Sequence, residues 1–402
     1  LTMKFVSLII LATVLRAVTS IAHGQDRPTA ADRIAEAKAD TSYVEYDDEP
    51  VFSLPLGVGL RVPSYDRVNG VSIPFGPKIR IPGGVVELDP TVTYRSHLGK
   101  FDPALAAAVH IGASDELRID GGIGTFTNDS WIRSALLNSL AALGVGTDSR
   151  NYYRSDRVNA VYEHTIPVGP WTTALSVGAQ HEFDWSTGIH TAHTSAPWSF
   201  FGRKDSLKMR RINPAIQRGH LTSGLAGARI GYEMDAVKGT VDARVERAFD
   251  SPAVGQDDGK FTQLTLDAKV GFPTFGLQSF AFRGHAVAGN DAPPQRFAYL
   301  GGAGTLSTVD LLALGGDRLL FVEGEYRVPL SAPILPFVGS PVISLSYAAG
   351  AAGVGALPDL IQNIGIGVGL KIVKIDYHID PNYRKTSYTH KSAFSLGFSL
   401  SL

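Results

Sequence analysis

The chain has 402 residues, 44% hydrophobic and 19% charged. That is too apolar for disorder and long enough for two or three ordinary domains or one large barrel. Its 37 Lys and Arg against 38 Asp and Glu give a net charge of −1, so there is no basic excess to neutralise a nucleic-acid backbone, and nucleic acid is not an expected partner. With no cysteine in the chain, disulfide scaffolds, thiolate metal sites, a cysteine nucleophile and a lipid anchor on cysteine are excluded.

In chain order, Lys4, a mostly apolar run over 5–15 and the small residues around Ala22-His23-Gly24 predict an export signal over 1–24, cut before Gln25. Arg16 ends the run too early for a spanning helix. Residues 25–51 are polar and acidic and read as a short periplasmic lead-in. From 52 to 402 the text alternates in short runs broken by turn residues, which is all-β patterning. Val241, Ala243 and Val245 oppose Asp242, Arg244 and Glu246, and Leu320, Val322, Tyr326 and Val328 oppose Glu323, Glu325 and Arg327. A charge-free stretch over 328–358 is interrupted by Pro329, Pro333, Pro336 and Pro341, so it predicts no membrane helix.

Many runs, extended to their flanking turns, match the roughly 9–11 residues of a tilted transmembrane strand. Sixteen strands are expected, near 52–62, 66–81, 85–96, 103–113, 116–126, 153–166, 171–184, 221–235, 239–248, 261–272, 277–288, 317–329, 338–349, 364–370, 373–379 and 390–402. From the fourth connection on, short turns alternate with long loops, among them 127–152, 185–220, 249–260 and 289–316. Together these predict a sixteen-stranded antiparallel transmembrane β-barrel with long extracellular loops, or one of fourteen strands, in the outer membrane of a Gram-negative cell.

The C-terminal third carries Phe297-Ala298-Tyr299-Leu300-Gly301-Gly302, then Gly315-Gly316-Asp317-Arg318 running into Glu325-Tyr326-Arg327-Val328-Pro329-Leu330, then Ile364-Gly365-Ile366-Gly367-Val368-Gly369-Leu370. This text resembles the bacterial surface antigen superfamily, the BamA- and TamA-like outer-membrane assembly and translocation barrels. The resemblance implies a sixth extracellular loop folded into the lumen, around Gly301, Gly302, Leu306, Ser307 and Thr308. Asp66-Arg67-Val68-Asn69-Gly70, Trp131, Asn138-Ser139 and Tyr152-Tyr153-Arg154 resemble a branch of surface-antigen-type barrels. Two departures stand out. Ser307 takes the place of the family's loop arginine and Ala348 that of its aspartate partner. Residues 25–51 are also too few for a periplasmic POTRA receptor domain.

No nucleophile elbow, phosphate loop or strong metal-ligand spacing is present, so no enzyme activity, cofactor or metal is expected. His190 and His193, near His181 and Asp184, suggest a weak rim site. Arg203, Lys204, Lys208, Arg210 and Arg211 form a basic loop suited to lipopolysaccharide phosphates. Strand phase points Arg283, Glu323, Glu325, Arg327 and Asp376 into the lumen, and places Phe394, Phe398 and Leu402 on the lipid face of a closing strand important for assembly. The expected function is outer-membrane biogenesis or translocation without a receptor domain of its own, or a passive channel. The expected partners are outer-membrane lipid and lipopolysaccharide, the cellular barrel-assembly machinery and a periplasmic protein.

Overall fold

The computed structural model describes residues 52–81, 83–187, 198–201, 211–252, 259–330, 340–370 and 373–398, the side chain of Phe398 apart. Residues 1–51, where a signal and lead-in are expected, and His190, His193, Arg203, Lys204, Lys208, Arg210 and Leu402 lie outside that set.

Eighteen strand segments form one antiparallel sheet, and two more form a separate small hairpin. The first four are short: β1 (Phe52–Ser53), β2 (Ser64–Asp66), β3 (Gly70–Phe75) and β4 (Lys78–Arg80). Longer strands follow as β5 (Val86–Arg95), β6 (Lys100–Ile111), β7 (Asp115–Phe126), β8 (Tyr153–Val168), β9 (Trp171–Ser186), β10 (Gly219–Met234), β11 (Val237–Asp250), β12 (Thr262–Pro273) and β13 (Ser279–Asn290). The small hairpin β14 (Ala298–Leu300) and β15 (Leu314–Gly316) interrupts the wall, which resumes as β16 (Arg318–Pro329), β17 (Val342–Gly353), β18 (Ile361–Gly369), β19 (Val373–Ile379) and β20 (Ser392–Phe398). Each strand from β5 to β13 pairs with the next, β13 pairs with β16, and pairing continues in sequence to β20.

The polarity of this wall is inverted relative to a water-soluble sheet. Val241, Val245, Leu264, Leu266, Ile364, Ile366, Val368, Ile375 and Leu396 are 39–54% exposed. The alternate side chains of Asp242, Glu325 and Asp376 are only 12–16% exposed. Apolar groups therefore face out and charged groups face in, as in a barrel set in lipid. Among the described residues no helix is long and apolar enough to cross a membrane.

The N-terminal expectations need correction. Only Phe52–Ser53 of the 52–62 run is strand, and the 66–81 run is broken by the 67–69 turn and again at Gly76-Pro77, where Gly76 takes φ +154 and Pro77 has no N–H for a ladder. The first hairpin turns over 67–69 rather than 63–65, with Asp66 opposite Gly70. The expected loop 127–152 holds a helix, α1 (Ala135–Val145). Ser134 Oγ caps it by accepting from Leu137 N–H at 3.3 Å. Gly146 ends it at φ +70. β17 and β18 also run further toward each other than 338–349 and 364–370 suggested, leaving only 354–360 between them.

The inverted polarity makes a direct prediction. An Ile366→Lys substitution at a 53% exposed site costs a water-soluble protein about 0.5 kcal/mol or less. Near the middle of a membrane-facing strand it costs about 2–4 kcal/mol. Urea-dependent folding into lipid vesicles should show the larger loss.

Candidate functional site

The long loops of the barrel meet inside its mouth, where two assemblies of side chains fill the lumen. The first surrounds the initial hairpin. Asp66 Oδ1 accepts the N–H groups of Val68 and Asn69 at 2.9 and 2.7 Å, and Gly70 takes φ +68 to close the turn. Asp148, fully buried, accepts from Arg67 N–H, Asn138 Nδ2 and Tyr152 OH, each at 3.0 Å. Arg67 donates to the Arg211 carbonyl at 2.5 Å and to Asn213 Oδ1. Ser139 on α1 accepts from Tyr65 N–H at 3.1 Å. On the other side of the turn Thr125 donates to Asn69 and accepts from Arg154, which binds Asp102 through both guanidinium ends at 2.6 Å. Residues 66–70, 138–139 and 152–154, far apart in sequence, thus meet in one network. Helix α1 touches both β2 and β20, and so lies against both edge regions of the sheet.

The second assembly is the loop over 291–317. Its root is held by Arg296, which pairs with Glu246 at 2.8 Å and with buried Glu182. Its far end is held by Asp317, whose Oδ1 accepts from Gly355 N–H at 2.7 Å. The Gly-Gly pair before it has a steric cause. A Cβ on Gly315 would sit 2.1 Å from the Tyr299 ring, and one on Gly316 2.0 Å from the Gly353 carbonyl oxygen. The tip packs Leu306 and Val309 against Leu300 of the small hairpin and Phe321 and Ala348 of the wall. The tip also pairs with the 388–390 segment, where Tyr388 carbonyl accepts from Asp310 N–H at 2.9 Å, Thr308 carbonyl from His390 N–H at 2.8 Å, and His390 Nε2 lies 2.9 Å from Asp310 Oδ1. Asn363 accepts from Thr308 N–H at 3.1 Å and donates to Thr308 Oγ1 at 2.6 Å, and Arg283 donates to the Gly304 carbonyl.

Asp129 joins the two assemblies, accepting from Asn151 N–H at 2.7 Å and Tyr299 N–H at 3.2 Å. Burial pushes its carboxyl up to about 7. Burial, then neighbouring Arg283, brings the Arg133 guanidinium down to about 10. Burial, then Arg67, does the same to Arg211. Trp131 stacks on His285 at 4.2 Å between the centroids.

Other side chains on the wall carry matched ion pairs: Arg283 with Glu323, Lys374 with Glu325 at 2.6 Å and Asp376 at 3.0 Å, Arg327 with Glu325 at 2.6 Å, and Asp242 between Arg229 and Arg244. Gly365 and Gly367 make the bed for these groups, since a Cβ there would sit 2.4 Å from His378 and 2.1 Å from Asp376.

The structure therefore places Gly301, Gly302, Leu306, Ser307 and Thr308 together in the lumen loop, and Arg283, Glu323, Glu325, Arg327 and Asp376 on the inner wall. Phe394 faces outward at 78% exposure. The strand of Phe398 is described but not its side chain. His181 and Asp184 form no shared rim site. His181 faces out with Thr222, and Asp184 is buried on the opposite side of β9, because an odd spacing puts them on opposite faces. Among the described residues no group of His, Asp and Glu is arranged to hold a metal ion. Asn363, Arg296 and Asp129 were missed from the sequence. Asn363 sits in register with Ala348, so the polar anchor stands one strand beyond the place where the family's aspartate was sought.

No family model matches the chain, and no curated protein matches it. Among solved structures, CdiB from Escherichia coli matches with a TM-score of 0.50 and 12% identity over 85% of this chain and 61% of its own. The fold is a large antiparallel β-barrel. CdiB from Acinetobacter baumannii matches with a TM-score of 0.49 and 12% identity over 84% of this chain and 57% of its own. This chain spans about three fifths of the length of each.

Two outcomes follow from the geometry. Asn363→Leu leaves buried Thr308 without partners for its N–H and hydroxyl, at a cost of about 1–3 kcal/mol. It should raise protease cutting within 301–312 without unfolding the wall. For Asp129, a carboxyl whose pKa is raised in the folded state is most favourable to the fold below the unfolded value near 3.8, and its contribution is lost as pH rises through about 7. Protease access to 291–317 should therefore increase between pH 5 and pH 8 (roughly the window of that titration), and Asp129→Asn should flatten the dependence.

Proposed function

We propose that this chain is an outer-membrane β-barrel of the surface antigen type, working in outer-membrane biogenesis or translocation, whose lumen opens by displacement of the 301–312 tip. The observation that carries the reading is the uneven anchoring of the lumen loop. Its root is tied by a buried arginine between two glutamates, and breaking such a pair costs about 3–5 kcal/mol. Its tip is held by bonds to Asn363, a carbonyl contact to Arg283, two backbone bonds to the 388–390 segment and an exposed Asp310–His390 pair, each worth less net than the buried pair. A loop fixed at its root by a buried charge pair, and at its tip by contacts that break one at a time, can swing aside and return. The apolar exterior fits lipid, and in this reading the long-loop end faces outside, toward lipopolysaccharide. The short-turn end faces the periplasm, where a partner would deliver substrate. The cellular barrel-assembly machinery would insert the barrel, and no chemical step is assigned to it.

Planar-bilayer recording tests the reading. Wild-type protein should show brief, fluctuating openings, and deletion of 303–312 a steady, larger conductance. Depletion in the native host should lower the amount of assembled or secreted outer-membrane proteins. If wild type and deletion conduct alike, and depletion leaves those proteins unchanged, a passive channel replaces this reading.

A further inference from the structure

The outer surface of β9–β12 carries two distinct rows of side chains, separated by a charge-free band. At the short-turn end Trp171 packs on Tyr232 at 4.6 Å and Phe272 on Phe280 at 5.4 Å, forming an aromatic row. Above it the outward residues are apolar or small, with Val177, Ala226, Val245 and Leu264 in one continuous register. Ten residues beyond Trp171 along β9 the band ends at His181. At roughly 3.3 Å per residue and a tilt of about 35–45°, that run rises about 25 Å, the height of an outer-membrane barrel's apolar band. The second row therefore lies at headgroup depth.

That row is dense in cations and rings. His181 and His220 stack at 5.5 Å, Phe183 packs on His220 at 4.7 Å, and the Arg218 guanidinium lies 5.3 Å from the Phe183 centroid. His181 Nδ1 is 2.8 Å from Thr222 Oγ1, which orients the ring. Arg247 stands one strand over, on the same face, with Nη1 2.6 Å from Thr262 Oγ1. A bulge in β11 between them turns Phe249 over Gly224, whose missing Cβ would sit 3.3 Å from the ring. Two carboxylates share the level, Asp156 opposite Phe183 and Asp250 opposite Thr222.

We propose that Arg218, His220, His181 and Arg247 form a binding site for the phosphate group of an outer-leaflet lipid, with Phe183 and Phe249 receiving the start of its acyl chains. Guanidinium groups supply charge-assisted hydrogen bonds to phosphate oxygens and imidazole N–H groups add further donors, and aromatic rings suit the border between headgroups and hydrocarbon. The proposal rests on the outer-membrane reading above, because only in lipid does this exposed patch meet such a ligand.

The test uses the full chain in phosphatidylcholine nanodiscs doped with lipid A, with native mass spectrometry of the released protein. Wild type should retain lipid A over phosphatidylcholine. The pairs Arg218→Gln with Arg247→Gln, and His181→Gln with His220→Gln, should each lower retention about tenfold, a loss of about 1.4 kcal/mol, while Lys238→Gln at the opposite end changes nothing. All variants should keep heat-modifiable migration. If the chain neither inserts nor shows that migration, the barrel reading and the site fall together. If it inserts but retains lipid A no better than phosphatidylcholine, or the glutamine pairs retain it equally, the site is overturned while the barrel stands. Displacement of the bound lipid by inorganic phosphate would assign the residues to free phosphate and overturn the lipid.

Discussion

A wall that is apolar outside has to dispose of its polar groups inside, and the rest of this structure answers that constraint. Lipid offers no hydrogen bonds, so every backbone group must pair along the ladder, and charged side chains turn inward, where they pair along the inner wall. Lys374 does so between Glu325 and Asp376, and Asp242 between Arg229 and Arg244. The glycines of β18 serve the same end, because only a side-chain-free strand leaves room for Asp376 and His378 to lie across it. A smooth inner strand and a cross-strand charge cluster are two sides of one packing solution.

The mouth of the barrel follows a different logic. There the loops are joined by buried polar networks in place of an apolar core. Asp148 gathers the first hairpin, α1 and the following turn through three bonds of equal length. Asp129 joins that assembly to the lumen loop. Such networks are rigid while satisfied and costly when one member is lost. The lumen loop inherits a firm base from them and from Arg296, and its tip relies on apolar contact with Phe321 and Ala348 and on separate bonds to Asn363, Arg283 and the 388–390 segment. Its mobility is therefore graded along its length by the kind of contact at each point.

What the sequence shows and what it hides divide along the same line. The strands from β5 onward are legible because alternation is local, and two neighbouring residues suffice to assign the faces. β3 and β4 are harder, since Pro74 and Pro77 interrupt the pattern that would announce them. Helix α1 is apolar nearly all round, so no stripe distinguishes it from loop text. The network around Asp148 joins positions 67 and 138–152, and no local pattern records such a meeting. The motifs singled out by resemblance still pointed to it, because Asp66, Asn138 and Tyr152 carry groups that have to be satisfied somewhere. Asn363 lies near the start of a glycine-rich strand, directly opposite Ala348.

Everything in this structure turns on which face of the wall meets hydrocarbon. The chain has no cysteine, so single cysteines can be placed at successive positions 240–245 of β11, labelled with a fluorophore, and quenched by brominated lipid after folding into vesicles. A lipid-facing apolar row gives quenching with a period of two, strong at 241, 243 and 245 and weak at 240, 242 and 244. Quenching without that period, or strongest at 242 and 244, would contradict it.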